Sequence, residues 1–97
     1  LSAIRALPAI VEAARGRIEV HLDSGIRSGQ DVIKALALGA RGVYVGRAFV
    51  YGLGAMGEAG VATALAILRK ELDITMGFCG LRDVKKVDRS ILVPGTY

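Results

Sequence analysis

Asp23-Ser24-Gly25-Ile26-Arg27-Ser28-Gly29 and, further along, Gly46-Arg47 are the residues whose types and spacing suit chemistry. Each stretch puts a guanidinium beside glycine. Guanidinium N–H groups form a planar fork that matches phosphate oxygens. Glycine lets the backbone turn tightly and approach an anion closely. That chemistry is capture of a phosphate, with no bond made or broken. The candidate binding residues are Asp23, Ser24, Gly25, Arg27, Gly46 and Arg47. The plainer alternative is a pair of tight turns with solvated arginines, since such turns favour this composition.

Other reactive residues read as structural. His21 shares a strand face with Asp23, two residues away, so its ring lies about 7 Å deeper along the strand. It is expected to be a satisfied, buried residue, and Glu19 on the same face has no evident role. Glu58 suits a helix N-terminus as a dipole partner. Tyr44 and Tyr51 read as packing residues. Cys79 lies in the apolar stretch Met76-Gly77-Phe78-Cys79-Gly80 and reads as a buried small residue. No residue is assigned a catalytic role, and no spacing suits a metal.

The elements that position the two turns alternate regularly. Pro8 suits the first turn of a helix, continued by Ile10, Val11 and Ala14 and stopped by Gly16. Residues 18–22 read as a strand. Ser28-Gly29-Gln30-Asp31 has the capping-box form, so a helix starts there, with Val32, Ile33, Leu36 and Ala40 as its stripe and Gly39 as its C-terminal cap. Residues 42–45 are the second strand. A glycine-punctuated segment over 49–57 precedes the longest helix, 58–72, whose face is Val61, Leu65, Leu68 and Leu72. A further helical turn or two is expected over 82–87. Glycines and helix N-termini at successive strand-to-helix turns are the layout by which the last βα loops of a TIM (β/α)8 barrel hold a phosphate. The fold class is α/β with parallel strands, the last two βα units of such a barrel plus the preceding helix.

Ninety-seven residues allow one small domain, whereas a full barrel needs about 250. Two parallel strands leave both edges bare, so the missing barrel portion or self-association is expected to complete the sheet. The chain is 53% hydrophobic, which suits strands buried on both faces and excludes disorder. Charges or glycines interrupt every apolar run, so no transmembrane segment is expected. The net charge of +4 is dispersed and lacks interleaved aromatics, which argues against nucleic acid. The single Cys79 excludes an internal disulfide and points to a reducing compartment. The expected location is cytoplasmic, or peripheral to a membrane. The first residues carry no signal-peptide layout, and a start inside a longer polypeptide is expected.

The stretches Asp23 to Gly29, Val32-Ile33-Lys34-Ala35-Leu36-Ala37-Leu38-Gly39-Ala40, Val45-Gly46-Arg47-Ala48-Phe49-Val50-Tyr51-Gly52-Leu53 and Gly57-Glu58-Ala59-Gly60-Val61 carry a family resemblance. Together they resemble the C-terminal part of the FMN-dependent α-hydroxy-acid dehydrogenases and oxidases, which include glycolate oxidase and L-lactate dehydrogenase. Isopentenyl diphosphate isomerases and inosine monophosphate dehydrogenase share the Gly-Ile-Arg and Gly-Arg turns. Tyr51-Gly52-Leu53 followed by Gly57-Glu58 favours the hydroxy-acid family. Ser24, where many members have Gly, is similar to the lactate dehydrogenase branch.

The resemblance implies FMN as cofactor, its ribityl-phosphate held by Asp23, Gly25, Arg27, Gly46 and Arg47. It implies a parent enzyme, a homo-oligomer, that oxidises (S)-2-hydroxy acids such as L-lactate to 2-oxo acids. The family's base and carboxylate clamp sit in a His-Gly-Gly-Arg segment that the resemblance places just upstream of Leu1. The isolated chain is therefore expected to be inactive. The alternatives are a non-catalytic quarter-barrel that binds phosphate or FMN, or a fragment of another FMN barrel such as an isopentenyl diphosphate isomerase.

Overall fold

The computed structural model describes Leu1–Tyr97. Its elements are α1 (Ala3–Ala14), β1 (His21–Asp23), α2 (Gly29–Ala37), β2 (Gly42–Tyr44) and α3 (Arg47–Phe78), then two single 3-10 turns, Val84–Lys86 and Arg89–Ile91. The strands pair in parallel, with His21 opposite Gly42, Leu22 opposite Val43 and Asp23 opposite Tyr44. The class is α/β with parallel strands, as expected. Both strands are shorter than the sequence suggests. The ladder extends backward by one bond, Arg41 N–H to Val20 C=O at 2.8 Å, and Ile18 is 71% exposed. Each strand has a neighbour on one side only, so nothing extends the pairing.

Serine chemistry starts α2 as read from the sequence. The Ser28 hydroxyl accepts the Asp31 N–H at 3.2 Å, and the Asp31 carboxylate accepts the Arg27 N–H at 2.9 Å. An N-cap of this kind contributes about 1 kcal/mol. At the other end Gly39 takes a positive φ of 105° and lies directly against Val11 of α1.

Helix α2 separates two apolar clusters. Ala35 and Leu38 face Leu7 of α1, Leu22 of β1, Ile26 and Ala40. Ile33 and Ala37 face Met76 of α3 and Val87. Leu92 packs against both clusters and ties the C-terminal segment across them. This leaves one face of the sheet uncovered. Leu22 is buried, whereas His21 and Asp23 on either side of it are exposed, as is Tyr44.

Several sequence expectations are corrected. Pro8 lies inside α1, past its first turn, because the helix already begins behind Ser2, whose carbonyl accepts the Arg5 and Ala6 N–H groups. Residues 49–55 are helical, and α3 is longer than 58–72. It runs through to Phe78 as two arms joined where Met56 and Gly57 leave helical geometry. The arms touch at Gly52 and Gly60, where a methyl on either would collide with the other's carbonyl. Those glycines permit helix contact, and the chain does not break at them. The buried stripe of the second arm is Gly60, Leu68 and Met76, while Leu65 is 51% exposed. Residues 82–87 hold one 3-10 turn and the next follows at Arg89, capped by Asp83 and Asp88. The Ser90 hydroxyl and N–H both donate to Asp88, holding its carboxyl below the usual aspartate value. Cys79 is exposed, because it lies at the end of α3 beyond the packed stripe.

Helix α3 is also long and apolar enough, by length and composition, to cross a membrane, with a mean hydropathy of 1.4 over an 18-residue window. That corrects the expectation that no stretch would qualify; glycines and the lone Glu58 interrupt the run without lowering its average enough. Every such stretch with at most two charges includes Met56 and Gly57, where the helix is broken. Leu72 and Met76 of the second arm pack against Ile33 and Ala37 of α2.

Candidate phosphate site

Strand β1 delivers Asp23 to the mouth of the first turn, and Ile26, 6% exposed, anchors that turn in the core. Between them the backbone takes two positive φ angles in succession, 93° at Ser24 and 83° at Gly25. Glycine adopts such angles freely, whereas serine is strained there. The turn swings Arg27 outward, and its N–H is fixed by Asp31. Strand β2 ends at Tyr44, and Gly46 caps the first arm of α3, so Arg47 opens that helix.

The two turns converge. One cavity of about 230 Å³ is lined by Asp23, Ser24, Gly25, Ile26, Arg27, Tyr44, Gly46, Arg47 and Ala48. All six residues read from the sequence as binding residues line it. Ile26, Tyr44 and Ala48 line it too. Tyr44 read as a packing residue, although its place two residues before Gly46 puts it on the face of Asp23, its register partner.

The electrostatics suit an anion. The guanidinium hydrogen bonds within the chain belong to Arg5 and Arg17, and its one ion pair joins Glu19 to His21. Arg27 and Arg47 line the cavity without an ion pair, and Asp23 is the one carboxylate among its lining residues. The first-turn N–H groups of Arg47 and Ala48 have no backbone acceptor, whereas those of Phe49 and Val50 both reach Gly46 C=O. Unsatisfied helix N–H groups carry partial positive charge. Gly46 has an ordinary negative φ and open space where a side chain would stand. Its ψ of −86° lies outside the ordinary helical range, which itself favours glycine, and the open space beside it leaves room for a ligand close to the backbone.

Two readings change. Gly29 read as a backbone point of approach for the anion. It lies instead against the backbone of Glu71 and Leu72 in α3, and its N–H donates to Glu71 Oε1 at 3.1 Å. His21 read as buried, but its side chain is 37% exposed on the uncovered sheet face. It is satisfied, with Nε2 3.2 Å from Glu19 Oε2 and Nδ1 3.3 Å from the Tyr44 hydroxyl. It does not line the cavity. No histidine, cysteine or lysine lines the site, whose acidic and hydroxyl side chains are those of Asp23, Ser24 and Tyr44, and no cluster of side chains suits a metal.

Residues 1–94 match the family described as FMN-dependent dehydrogenase. The chain belongs to that family. Among FMN-dependent dehydrogenase relatives, an L-lactate dehydrogenase of Caulobacter vibrioides is 51% identical over 92 residues, covering 95% of this chain and 24% of that protein. Glycolate oxidase of Spinacia oleracea is 53% identical over 87 residues, covering 90% and 24%. Human 2-hydroxyacid oxidase 1 is 49% identical over 89 residues, covering 92% and 24%. The chain thus spans about a quarter of the length of the relatives it matches. A mandelate oxidase mutant with a monooxide FMN adduct superposes with a TM-score of 0.85 at 45% identity, covering 89% of this chain and 27% of that one. A mutant of an active chimera of (S)-mandelate dehydrogenase gives 0.83 at 40% identity, covering 90% and 24%.

Proposed function

We propose that residues 1–97 are the C-terminal, phosphate-gripping part of a TIM-barrel enzyme that oxidises (S)-2-hydroxy acids such as L-lactate to 2-oxo acids with FMN. The observation that carries this is the cavity between the two strand-to-helix turns, with two guanidiniums outside any ion pair and free helix N–H groups. In this reading Arg27 and Arg47 bind the phosphate through charge-assisted hydrogen bonds. Gly25 and Gly46 keep side chains out of its way, and Ser24 shapes the turn. The Asp23 carboxylate accepts hydrogen bonds from ribityl hydroxyls. FMN supplies the capacity to take two electrons from the substrate's α-carbon. This chain's residues hold the cofactor, and the base belongs to the remaining three-quarters of the enzyme. The printed names of the relatives, which cover lactate, glycolate and mandelate, support a 2-hydroxy acid as the substrate class. The single free Cys79 is in keeping with a cytoplasmic or membrane-peripheral location.

The test is flavin retention in the complete enzyme. Arg27→Ala and Arg47→Ala should each weaken FMN binding by about 1.5–3 kcal/mol, the range for a hydrogen bond to a charged group. That is roughly ten- to a hundredfold in Kd. Lysine at either position should restore part of the loss, since it carries the charge without the planar fork. Flavin titration that finds both alanine variants unchanged would remove the phosphate assignment.

A further inference from the structure

The uncovered sheet face carries a second polar constellation that the phosphate grip does not use. Glu19, His21 and Tyr44 form a continuous chain, with His21 bridging a carboxylate at 3.2 Å and a phenol at 3.3 Å. Its directions follow for the neutral imidazole. A carboxylate only accepts, so Nε2–H donates to Glu19, and Nδ1 is then the acceptor of the Tyr44 O–H. Gly42, the register partner of His21, lies beside the ring, where a methyl would make ordinary contact at 3.4 Å. The imidazole and phenol rings lie 5.8 Å apart, tilted by 39°. All three side chains are partly exposed on this face, and each has a partner within the chain.

Only the last member of the chain touches the cavity. Tyr44 lines it beside Arg27 and Arg47, whereas Glu19 and His21 do not. Tyr44 also pairs in register with Asp23. We propose that Glu19 and His21 are positioning residues that lock the Tyr44 ring as one wall of the phosphate cavity, so that FMN retention depends on a carboxylate outside that cavity. The proposal rests on the FMN reading above and deepens it. Without its acceptor, the Tyr44 phenol rotates more freely, and the wall it presents is no longer fixed before the ligand arrives. Preorganisation of this kind reaches affinity by lowering the ordering cost on binding.

A double-mutant cycle in the complete FMN-loaded enzyme tests it. The measured quantity is FMN Kd from flavin-fluorescence titration, with apoprotein melting recorded beside it. Tyr44→Phe keeps the ring and removes the hydroxyl, and should raise Kd about two- to tenfold, the scale of one neutral hydrogen bond. Glu19→Ala should raise Kd about twofold alone and leave it unchanged when added to Tyr44→Phe. That non-additivity separates positioning from a general loss of stability, which would lower melting in both backgrounds. His21→Ala should equal Tyr44→Phe; if it does not fold, the Glu19 and Tyr44 variants still complete the cycle. Additive effects, or no effect of Tyr44→Phe, overturn the proposal. If Arg27→Ala and Arg47→Ala retain FMN, the phosphate assignment itself fails; if they lose it while the cycle is additive, only the positioning chain fails.

Discussion

Ser24 is the residue where the sequence and the backbone disagree most. Its φ of 93° is one that a side chain normally avoids, at a cost of about 1–3 kcal/mol. It persists because Asp23 is tied into the ladder and Ile26 into the core, which leaves the turn no other path. Ser24→Gly should release that strain, against about 0.4–1 kcal/mol of added freedom in the unfolded chain. The net expectation is a stabilisation of about 1 kcal/mol in urea unfolding of the complete enzyme, with FMN affinity retained. A variant that is less stable would show that the serine side chain holds the turn. The meeting of the two turns at one cavity was legible in the sequence because each turn joins guanidinium and glycine at a strand end. His21 was legible as satisfied, but its partners were not. Register, and not sequence distance, brings Tyr44 beside it.

Helices carry the next lesson. Ser28 announced α2 because a cap is a local device, written within four residues. The kink in α3 was not legible, because a glycine that breaks a helix and one that admits a neighbouring backbone look alike in a sequence. Gly29 and Gly60 are of the second kind. Gly29→Ala drives a methyl into the α3 backbone, and Gly60→Ala drives one into the Gly52 carbonyl. Each should destabilise by about 1–3 kcal/mol or more, as overpacking does. Gly54 and Gly77, also in α3, have open space where a side chain would stand. Gly54→Ala and Gly77→Ala should therefore be neutral or stabilising by up to about 1 kcal/mol through helix propensity. Thermal unfolding of the four variants checks the contrast. Equal losses at all four positions would refute the close contacts.

The whole chain behaves as a wedge. Only 13 of 97 residues are buried, and the radius of gyration of 14.1 Å exceeds the roughly 12.5 Å of a compact domain this long. Its sheet has two strands and thus two bare edges, with Tyr44, Phe49 and Leu53 among the exposed apolar side chains. Burial this sparse is the physical counterpart of covering a quarter of each relative's length. Expressed alone, the 97 residues should oligomerise through the sheet or aggregate. Sedimentation of a lone 10.2 kDa species with a sharp melting transition would contradict that. The alternating elements were legible in the sequence, being set by local periodicity. The exposure of Cys79 and Leu65 was not, because it depends on where packing stops.

The break at Met56 and Gly57 also divides the chain in time. It breaks the helical geometry of α3 about a third of the way along, so the two arms need not open together. The second arm is pinned by Leu68 and Met76 and shares its openings with α2. The first arm has Arg47 and Ala48 at the cavity and can fray independently of that core. Deuterium uptake along α3 should therefore fall into two populations, a slow one after the break and a faster one before it. Filling the cavity slows only the faster one, since a ligand protects whatever must stay folded to hold it. If a phosphate occupies the cavity, the amides of the first arm would thus time its residence.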